Sequence, residues 1–346
     1  MRRERFGLAF PVSALAVLSL WCTTCTVHVE AASSLQPPVK LTWHYYKVHN
    51  TCDDAETYIR HQVESYYKSD KTIAPKLLRL QYSDCLVNGC DASVLLDGPD
   101  SEKMAPQNRG LGGFALIDKI KTVLESRCPG VVSCADILSL AARDAAHMAG
   151  APSYPVFTGR RDGLTSTKAS VDLPSPSISW EASLAYFKSK GLDVLDMTTL
   201  LGAHSMGRTH CSFIVDRLYN FNNTRKPDPS MKASFLAEMR KLCPPRTRQG
   251  QADPLVFLDP ASGSDYRFTN SYYSRVLTNE AVLGVDQQLL YGDDTKQITE
   301  EFAAAQSGFE DSRRSFALSM SRMGNIKVLT GKEGEIRKNC RFTNKK

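Results

Sequence analysis

The chain has 346 residues, 23% of them charged, and its formal net charge at pH 7 is +6. This charge is modest and dispersed, so it argues against nucleic acid as a partner, although it permits weak attraction to anionic polymers. The length suits one large domain or two packed lobes.

The first predicted element is a secretory signal peptide over residues 1–31. Its basic start contains Arg2, Arg3 and Arg5. An apolar stretch from about 6 to 21 follows, and Ala31 and Ala32 offer a small-residue cleavage site. A membrane anchor is the alternative, but the stretch is shorter than the roughly 20 apolar residues that a bilayer requires. We therefore expect secretion, no membrane span, and a folded domain over 32–346.

The remaining chain shows helical periodicity. Apolar residues recur at turn spacing from Ala55 to Tyr67, and Asp53 or Asp54 can cap the start of this helix. Further helical stripes occupy 74–85, 114–124, 135–149, 235–242 and 316–323.

Little of the sequence favours β-structure. Only Val156-Phe157 is expected to form a short strand, and 244–265 is predicted to be a long loop rich in Pro, Gly and Ser. The pattern predicts a mostly α-helical globule. If it has two lobes, they cover about 45–170 and 171–340.

Cysteine usage fits an exported protein. Ten cysteines are present, and Cys22 and Cys25 would leave with the signal peptide. The eight that remain are Cys52, Cys85, Cys90, Cys128, Cys134, Cys211, Cys243 and Cys340. An even number predicts four disulfides, whereas a zinc site lacks the usual paired spacing. The count leaves the pairing open. Asn222 begins the only glycosylation sequon, so a glycan is expected there.

Two stretches point to chemistry. In the first, His204 follows an apolar helical face and has small neighbours, Gly202 and Ala203, that let a flat group approach. Alone, such a histidine is more often a packed core residue. The second stretch reads Arg79-Leu80-Gln81-Tyr82-Ser83-Asp84-Cys85 and continues to Ser93.

Taken together, the two stretches show that the chain resembles the class III plant secretory peroxidases. It is most similar to a divergent subgroup of that family. Further matching stretches, in the same order, are 131–138, 159–163 and 334–337. The resemblance covers about Tyr45 to Cys340. It implies a mostly α-helical haem peroxidase fold, with haem b between a distal and a proximal lobe, and calcium as a second cofactor.

The resemblance also implies a disulfide pairing and a proximal haem site. The implied disulfides are Cys52–Cys128, Cys85–Cys90, Cys134–Cys340 and Cys211–Cys243. His204 matches the iron ligand, and Asp286 matches the carboxylate that accepts the other N–H of the imidazole. Without the resemblance, Asp286 would be taken for a solvated loop acid.

The resemblance implies two calcium sites, and the distal site matches the family better than the proximal site. The distal ligands match Asp84, Val87, Gly89, Asp91 and Ser93, and three side-chain oxygens with two carbonyls suit a hard cation. Without the resemblance, an ordinary turn with Asp capping a helix would be the preferred explanation. The proximal ligands match Ser205, Asp259 and Thr269. Thr269 stands where the family usually has Asp, and the loop before it is about two residues longer. We expect this proximal site to be weak or lost.

The main departure lies in the distal pocket. Arg79 is kept, but Ser83 stands at the position of the distal histidine, the residue that moves a proton between the peroxide oxygens. Asn108 matches the residue that orients this histidine, and Glu102 matches its supporting carboxylate. A serine hydroxyl is no useful base at neutral pH. His61 is the nearest other histidine and is expected to face solvent.

Three functions remain open. The first is a secreted, cell-wall peroxidase that reduces hydrogen peroxide and oxidises phenolic donors by one electron, with activity lowered by Ser83. The second is a haem-binding redox sensor or scavenger with little turnover, and the third is a non-catalytic module that binds anionic wall polymers. Pro174 matches a residue beside the aromatic donor, although a rigid turn explains it equally well. We expect a monomer.

Overall fold

The computed structural model describes residues 40–245, 250 and 252–344, so the predicted signal peptide lies outside the described residues. Within these residues the α-helices, numbered in chain order, are α1 Tyr45–Val48, α2 Ala55–Ser69, α3 Ile73–Cys85, α4 Phe114–Arg127, α5 Cys134–Met148, α6 Trp180–Ser189, α7 Val194–Leu201, α8 Val215–Tyr219, α9 Ala233–Leu242, α10 Ser271–Leu277, α11 Gly284–Gln287, α12 Asp293–Ala303 and α13 Gln306–Met323. Each predicted helical stripe falls on one of these helices. The mostly α-helical fold is therefore confirmed.

Short 3-10 turns connect the helices. Their bounds are Ser93–Leu95, Glu102–Met104, Pro106–Asn108, Lys168–Ser170, Gly202–Ser205, Cys211–Phe213, Phe221–Asn223, Pro260–Ser262 and Gln288–Leu290. Several of these turns carry predicted site residues. No α-helix in the described part of the chain is long and apolar enough to cross a bilayer.

The strands form two small antiparallel ladders. β1, Thr42–Trp43, pairs with β2, Phe157–Thr158, so the predicted short strand is shifted by one residue. β3, Arg208–His210, pairs with β4, Leu255–Phe257, and joins Thr209 to Val256 in register. The prediction of an uninterrupted loop over 244–265 was wrong here, because β3 supplies a long-range partner for three consecutive apolar residues.

The centre of the core is α5. Thirteen of its fifteen residues are buried, and its small alanines let α2 and α3 pack closely against it. Ser133 caps the helix by accepting a hydrogen bond from the N–H of Asp136 at 3.1 Å. The predicted cap on α2 was wrong at Asp54, whose side chain makes no cap bond and instead pairs with Arg127 at 2.7 Å.

Four disulfides fasten this core, with the implied pairing. They are Cys52–Cys128, Cys85–Cys90, Cys134–Cys340 and Cys211–Cys243. Cys134 begins α5 and its partner lies near the end of the chain, so this bridge closes 206 residues of sequence around the central helix.

Candidate haem and calcium sites

The segment that carries His204 is fixed by its helix. Asp193 and Asp196 form a capping box at the start of α7: the Asp193 carboxylate accepts the N–H of Asp196, and the Asp196 carboxylate accepts the N–H of Asp193, both at 2.9 Å. Arg322 of α13 reaches both carboxylates, at 2.7 and 2.8 Å. The helix then continues into the 3-10 turn Gly202–Ser205, which holds His204.

His204 is paired with a buried carboxylate. Its Nδ1 lies 2.8 Å from Oδ1 of Asp286, which is only 2% exposed. An Nδ1–H that donates to this oxygen leaves the lone pair on Nε2. The His204 side chain keeps 28% exposure, so the ring is not sealed into the core. An oriented imidazole with one free nitrogen is suited to binding a metal centre.

A tyrosine that the sequence analysis missed completes this group. The hydroxyl of Tyr272 donates to the same Oδ1 of Asp286 at 2.9 Å. Burial, and then the negative charge of Asp286, raise the pKa of Tyr272 well above its ordinary value, so the phenol stays protonated and remains a donor. No spacing in the sequence links Tyr272 to His204, because the contact is made only through the fold.

Arg79 lies on α3. It is exposed between the buried residues Leu78 and Leu80, and its guanidinium donates to the carbonyl of Gln107 at 2.9 Å. Pro75, one turn earlier on α3, packs against Gly207, where an added Cβ would lie 3.2 Å from the Pro75 Cβ. The structure thus brings α3, the helix of Arg79, against the segment that follows the turn of His204.

Ser83 and the two residues that the resemblance assigns to the same pocket, Asn108 and Glu102, are buried polar residues with unsatisfied side-chain atoms among the described residues. Ser83 is fully buried and its hydroxyl has no hydrogen-bond partner among the described residues. The amide nitrogen of Asn108 donates to the carbonyl of Glu102 at 2.9 Å, and its Oδ1 has no hydrogen-bond partner among the described residues. Burial raises the pKa of the Glu102 carboxyl to about 7. The residues that the resemblance assigns to the distal pocket, Arg79, Ser83, Asn108 and Glu102, include no histidine. His61 is exposed, as expected.

The predicted distal calcium ligands lie in the last turn of α3, which contains Asp84, and in the mostly buried loop that follows it. Burial, and then the charge of Asp91, raise the pKa of Asp84 well above its ordinary value. The Ser93 hydroxyl is buried without a partner among the described residues. Two like charges and a free hydroxyl fit a hard cation. The Val87 carbonyl also accepts from Lys190 at 3.2 Å.

Two glycines make the shape of this loop. Gly89 has φ +130°, and an added Cβ would meet the carbonyl of Lys327 at 2.6 Å. At Gly163, an added Cβ would collide with the Asp91 carboxylate. Side chains at either position would push the loop open, so both glycines hold Asp91 in place.

The predicted proximal calcium residues are arranged differently. Asp259 is fully buried, and Thr269 donates to its Oδ2 at 3.1 Å. Ser271, which the sequence analysis did not single out, donates to the same oxygen. The Ser205 hydroxyl is buried without a partner among the described residues. One carboxylate with hydroxyl donors is a poor fit to calcium, which prefers several anionic oxygens.

The other predicted residues lie outside these groups. Pro174 is half-buried in the connection before α6. Asn222 is exposed in the turn Phe221–Asn223, with φ +50°. Their roles beside a donor and as a glycan site stay predictions.

The sequence is similar to those of known peroxidases over most of its length. The family model described as Peroxidase matches residues 59–305. Probable peroxidase 61 from Arabidopsis thaliana is 72% identical over 335 residues, 97% of each chain. Probable peroxidase 26 from the same plant is 74% identical over 305 residues, 88% of this chain and 90% of the relative. A lignin-forming anionic peroxidase from Nicotiana tabacum is 39% identical over 300 residues, 85% of this chain and 90% of the relative.

The chain belongs to the peroxidase family, in its class III plant branch. The predicted family and fold are therefore confirmed. Membership implies haem and calcium as cofactors, and hydrogen peroxide with an oxidisable donor as substrates.

Proposed function

We propose that this protein is a secreted haem peroxidase of the plant cell wall that reduces hydrogen peroxide and oxidises small phenolic donors by one electron. The observation that carries the proposal is the pair formed by His204 and Asp286, 2.8 Å apart. His204 would bind the iron of haem b through Nε2. The haem, when bound, supplies the redox chemistry.

On the distal side of the haem, Arg79 would contribute to peroxide cleavage and Ser83 would contribute little. Arg79 is always charged and has no carboxylate partner in the described part of the chain, so it can stabilise the negative charge that develops as peroxide is cleaved. The serine hydroxyl can donate a hydrogen bond but cannot take a proton at neutral pH. A positioned base is worth roughly 10²–10⁴ in rate, so we expect turnover to be reduced by a similar factor.

Calcium would bind at the distal loop. The side chains of Asp84, Asp91 and Ser93 and the carbonyls of Val87 and Gly89 offer five oxygens from one tight segment. Lys190 would have to release the Val87 carbonyl, or share it with the ion. Such an ion would fix the end of α3 just after Ser83, and so hold the distal pocket in shape.

A second candidate is a haem-binding protein with little peroxidase turnover, acting as a redox sensor or scavenger. The Ser83 hydroxyl favours it, because it is buried without a hydrogen-bond partner in the described part of the chain and supplies no base. A non-catalytic module that binds anionic wall polymers is the third candidate. Monomeric state and glycosylation at Asn222 are part of the proposal.

The decisive experiment uses the purified protein with haem. A Soret band that is lost in His204→Ala supports haem binding, and its absence in the native protein would favour the wall-binding module. Stopped-flow mixing with millimolar hydrogen peroxide should change the Soret band slowly. No change would favour the sensor. Ser83→His should raise the rate about 10²-fold or more, whereas Ser83→Ala should leave it within a few-fold.

A further inference from the structure

The carboxylate of Asp259 is satisfied within the protein. Its Oδ1 accepts the N–H of Ala261 at 3.0 Å, and its Oδ2 accepts from Thr269 at 3.1 Å and from Ser271. The hydroxyls of Thr269 and Ser271 lie 2.7 Å apart. Both oxygens of a fully buried anion are thus occupied by hydrogen-bond donors.

This group differs from the distal loop in the balance of charges and donors. The distal loop carries two carboxylates: Asp84 accepts the backbone N–H groups of Ala92 and Val94 at 2.9 and 3.4 Å, and Asp91 accepts the backbone N–H of Ser93 at 2.9 Å. No hydroxyl side chain donates to either carboxylate among the described residues, and the buried Ser93 hydroxyl is itself unpaired there. Around Asp259 there is one negative charge, and two of its three donors are side chains. To ligate a cation, Thr269 and Ser271 would have to turn their hydroxyl hydrogens away from the carboxylate, which would lose both bonds.

We infer that the cluster of Asp259, Thr269 and Ser271 replaces the proximal calcium ion, so that this protein binds calcium at the distal loop alone. The inference rests on family membership and on the distal site in the proposed function. Ser205, the remaining predicted ligand, offers a single neutral hydroxyl, which one buried water satisfies as well as an ion does.

The cluster has a structural task next to the haem site. Ser271 is the first residue of α10, and Tyr272 follows it directly. Tyr272 donates to Asp286, the carboxylate partner of His204. By holding Ser271 and Thr269, Asp259 fixes the start of α10 and therefore the position of the Tyr272 hydroxyl. The surroundings of His204 then need no calcium to keep their shape.

Counting calcium tests the inference. The haem-loaded full-length protein is equilibrated with calcium chloride, dialysed, and analysed for calcium per chain by mass spectrometry and by calorimetric titration with calcium. We expect one ion in the native protein, one in Asp259→Asn and none in Asp91→Asn. The Soret band and the far-ultraviolet circular dichroism show whether each variant is folded.

Two results would overturn the inference: two ions in the native protein, or an ion that survives Asp91→Asn and disappears in Asp259→Asn. If Asp259→Asn does not fold, the native protein and Asp91→Asn decide: two ions in the native protein would overturn the inference, and one ion that is lost in Asp91→Asn would support it. No ion in the native protein would refute the distal site of the proposed function and leave the absence of proximal calcium supported. The two failures are therefore distinguishable.

Discussion

One carboxylate oxygen of Asp286, Oδ1, accepts hydrogen bonds from both Tyr272 and His204. The phenol donates at 2.9 Å, and Nδ1 of the imidazole lies at 2.8 Å. A carboxylate that serves two donors has less charge to offer to each. Tyr272 therefore moderates how strongly Asp286 pulls on the imidazole N–H, and with it how electron-rich Nε2 becomes.

Removing this hydroxyl should change the iron potential. In Tyr272→Phe, Asp286 interacts with His204 alone, the imidazole becomes a stronger electron donor, and the oxidised metal is favoured. We expect the Fe(III)/Fe(II) midpoint potential, measured by spectroelectrochemistry, to become more negative.

Tyr273→Phe is the matched control for this change. Its hydroxyl lies 3.5 Å from the carbonyl of Thr198, and no hydrogen bond joins it to Asp286 in the described part of the chain. An equal shift in both variants would mean that loss of a buried tyrosine, and not loss of the bond to Asp286, moves the potential.

The contrast between Asp286 and Tyr272 shows what the sequence can predict at this scale. His204 and Asp286 stand in motifs whose order and residue types are specific, and the structure brings them within hydrogen-bond distance. Tyr272 and Ser271 belong to no such motif. A tyrosine or serine has many ordinary roles, and only the folded chain brings Ser271 to Asp259, twelve residues away.

At the scale of the element, the periodic spacing of apolar residues predicted the long helices correctly. The same spacing did not predict how the helices begin and end. The apolar stripes of α2, α3 and α5 follow from burial of one face, which is a local property of the sequence. The cap of α2 was mispredicted because Arg127, 73 residues away, takes the carboxylate of Asp54. The strand β4 was missed for the same reason, since its partner lies in β3.

The cap of α7 should contribute measurably to stability. Asp193→Ala removes the acceptor for the N–H of Asp196, and we expect the free energy of unfolding in urea to fall by about 1–2 kcal/mol. The ion pair between Asp193 and Arg322 is half exposed and should add less than about 1 kcal/mol to this loss.

Asp193→Asn separates the cap from the ion pair. Asparagine keeps a cap acceptor and removes the charge, so this variant should lose much less stability than Asp193→Ala. Equal losses in the two variants would assign the effect to the ion pair with Arg322 and contradict the role of the cap.

At the scale of the whole molecule, the disulfides link parts of the chain that are far apart in sequence. Cys134–Cys340 closes 206 residues and Cys85–Cys90 closes 5. In the chain-entropy account, a bridge stabilises by restricting the unfolded chain, and a longer closed loop restricts it more. For these two lengths the account gives about 5 and about 2 kcal/mol.

Paired serine substitutions test this difference. We expect Cys134→Ser with Cys340→Ser to lower the free energy of unfolding by about 3 kcal/mol more than Cys85→Ser with Cys90→Ser. Urea unfolding of both variants with saturating calcium gives the comparison, because the short bridge borders the distal loop and the calcium ion proposed there would keep that loop formed. A short-bridge variant that is the less stable of the two would show that Cys85–Cys90 acts mainly on the folded state, by holding Asp84 and Asp91 together.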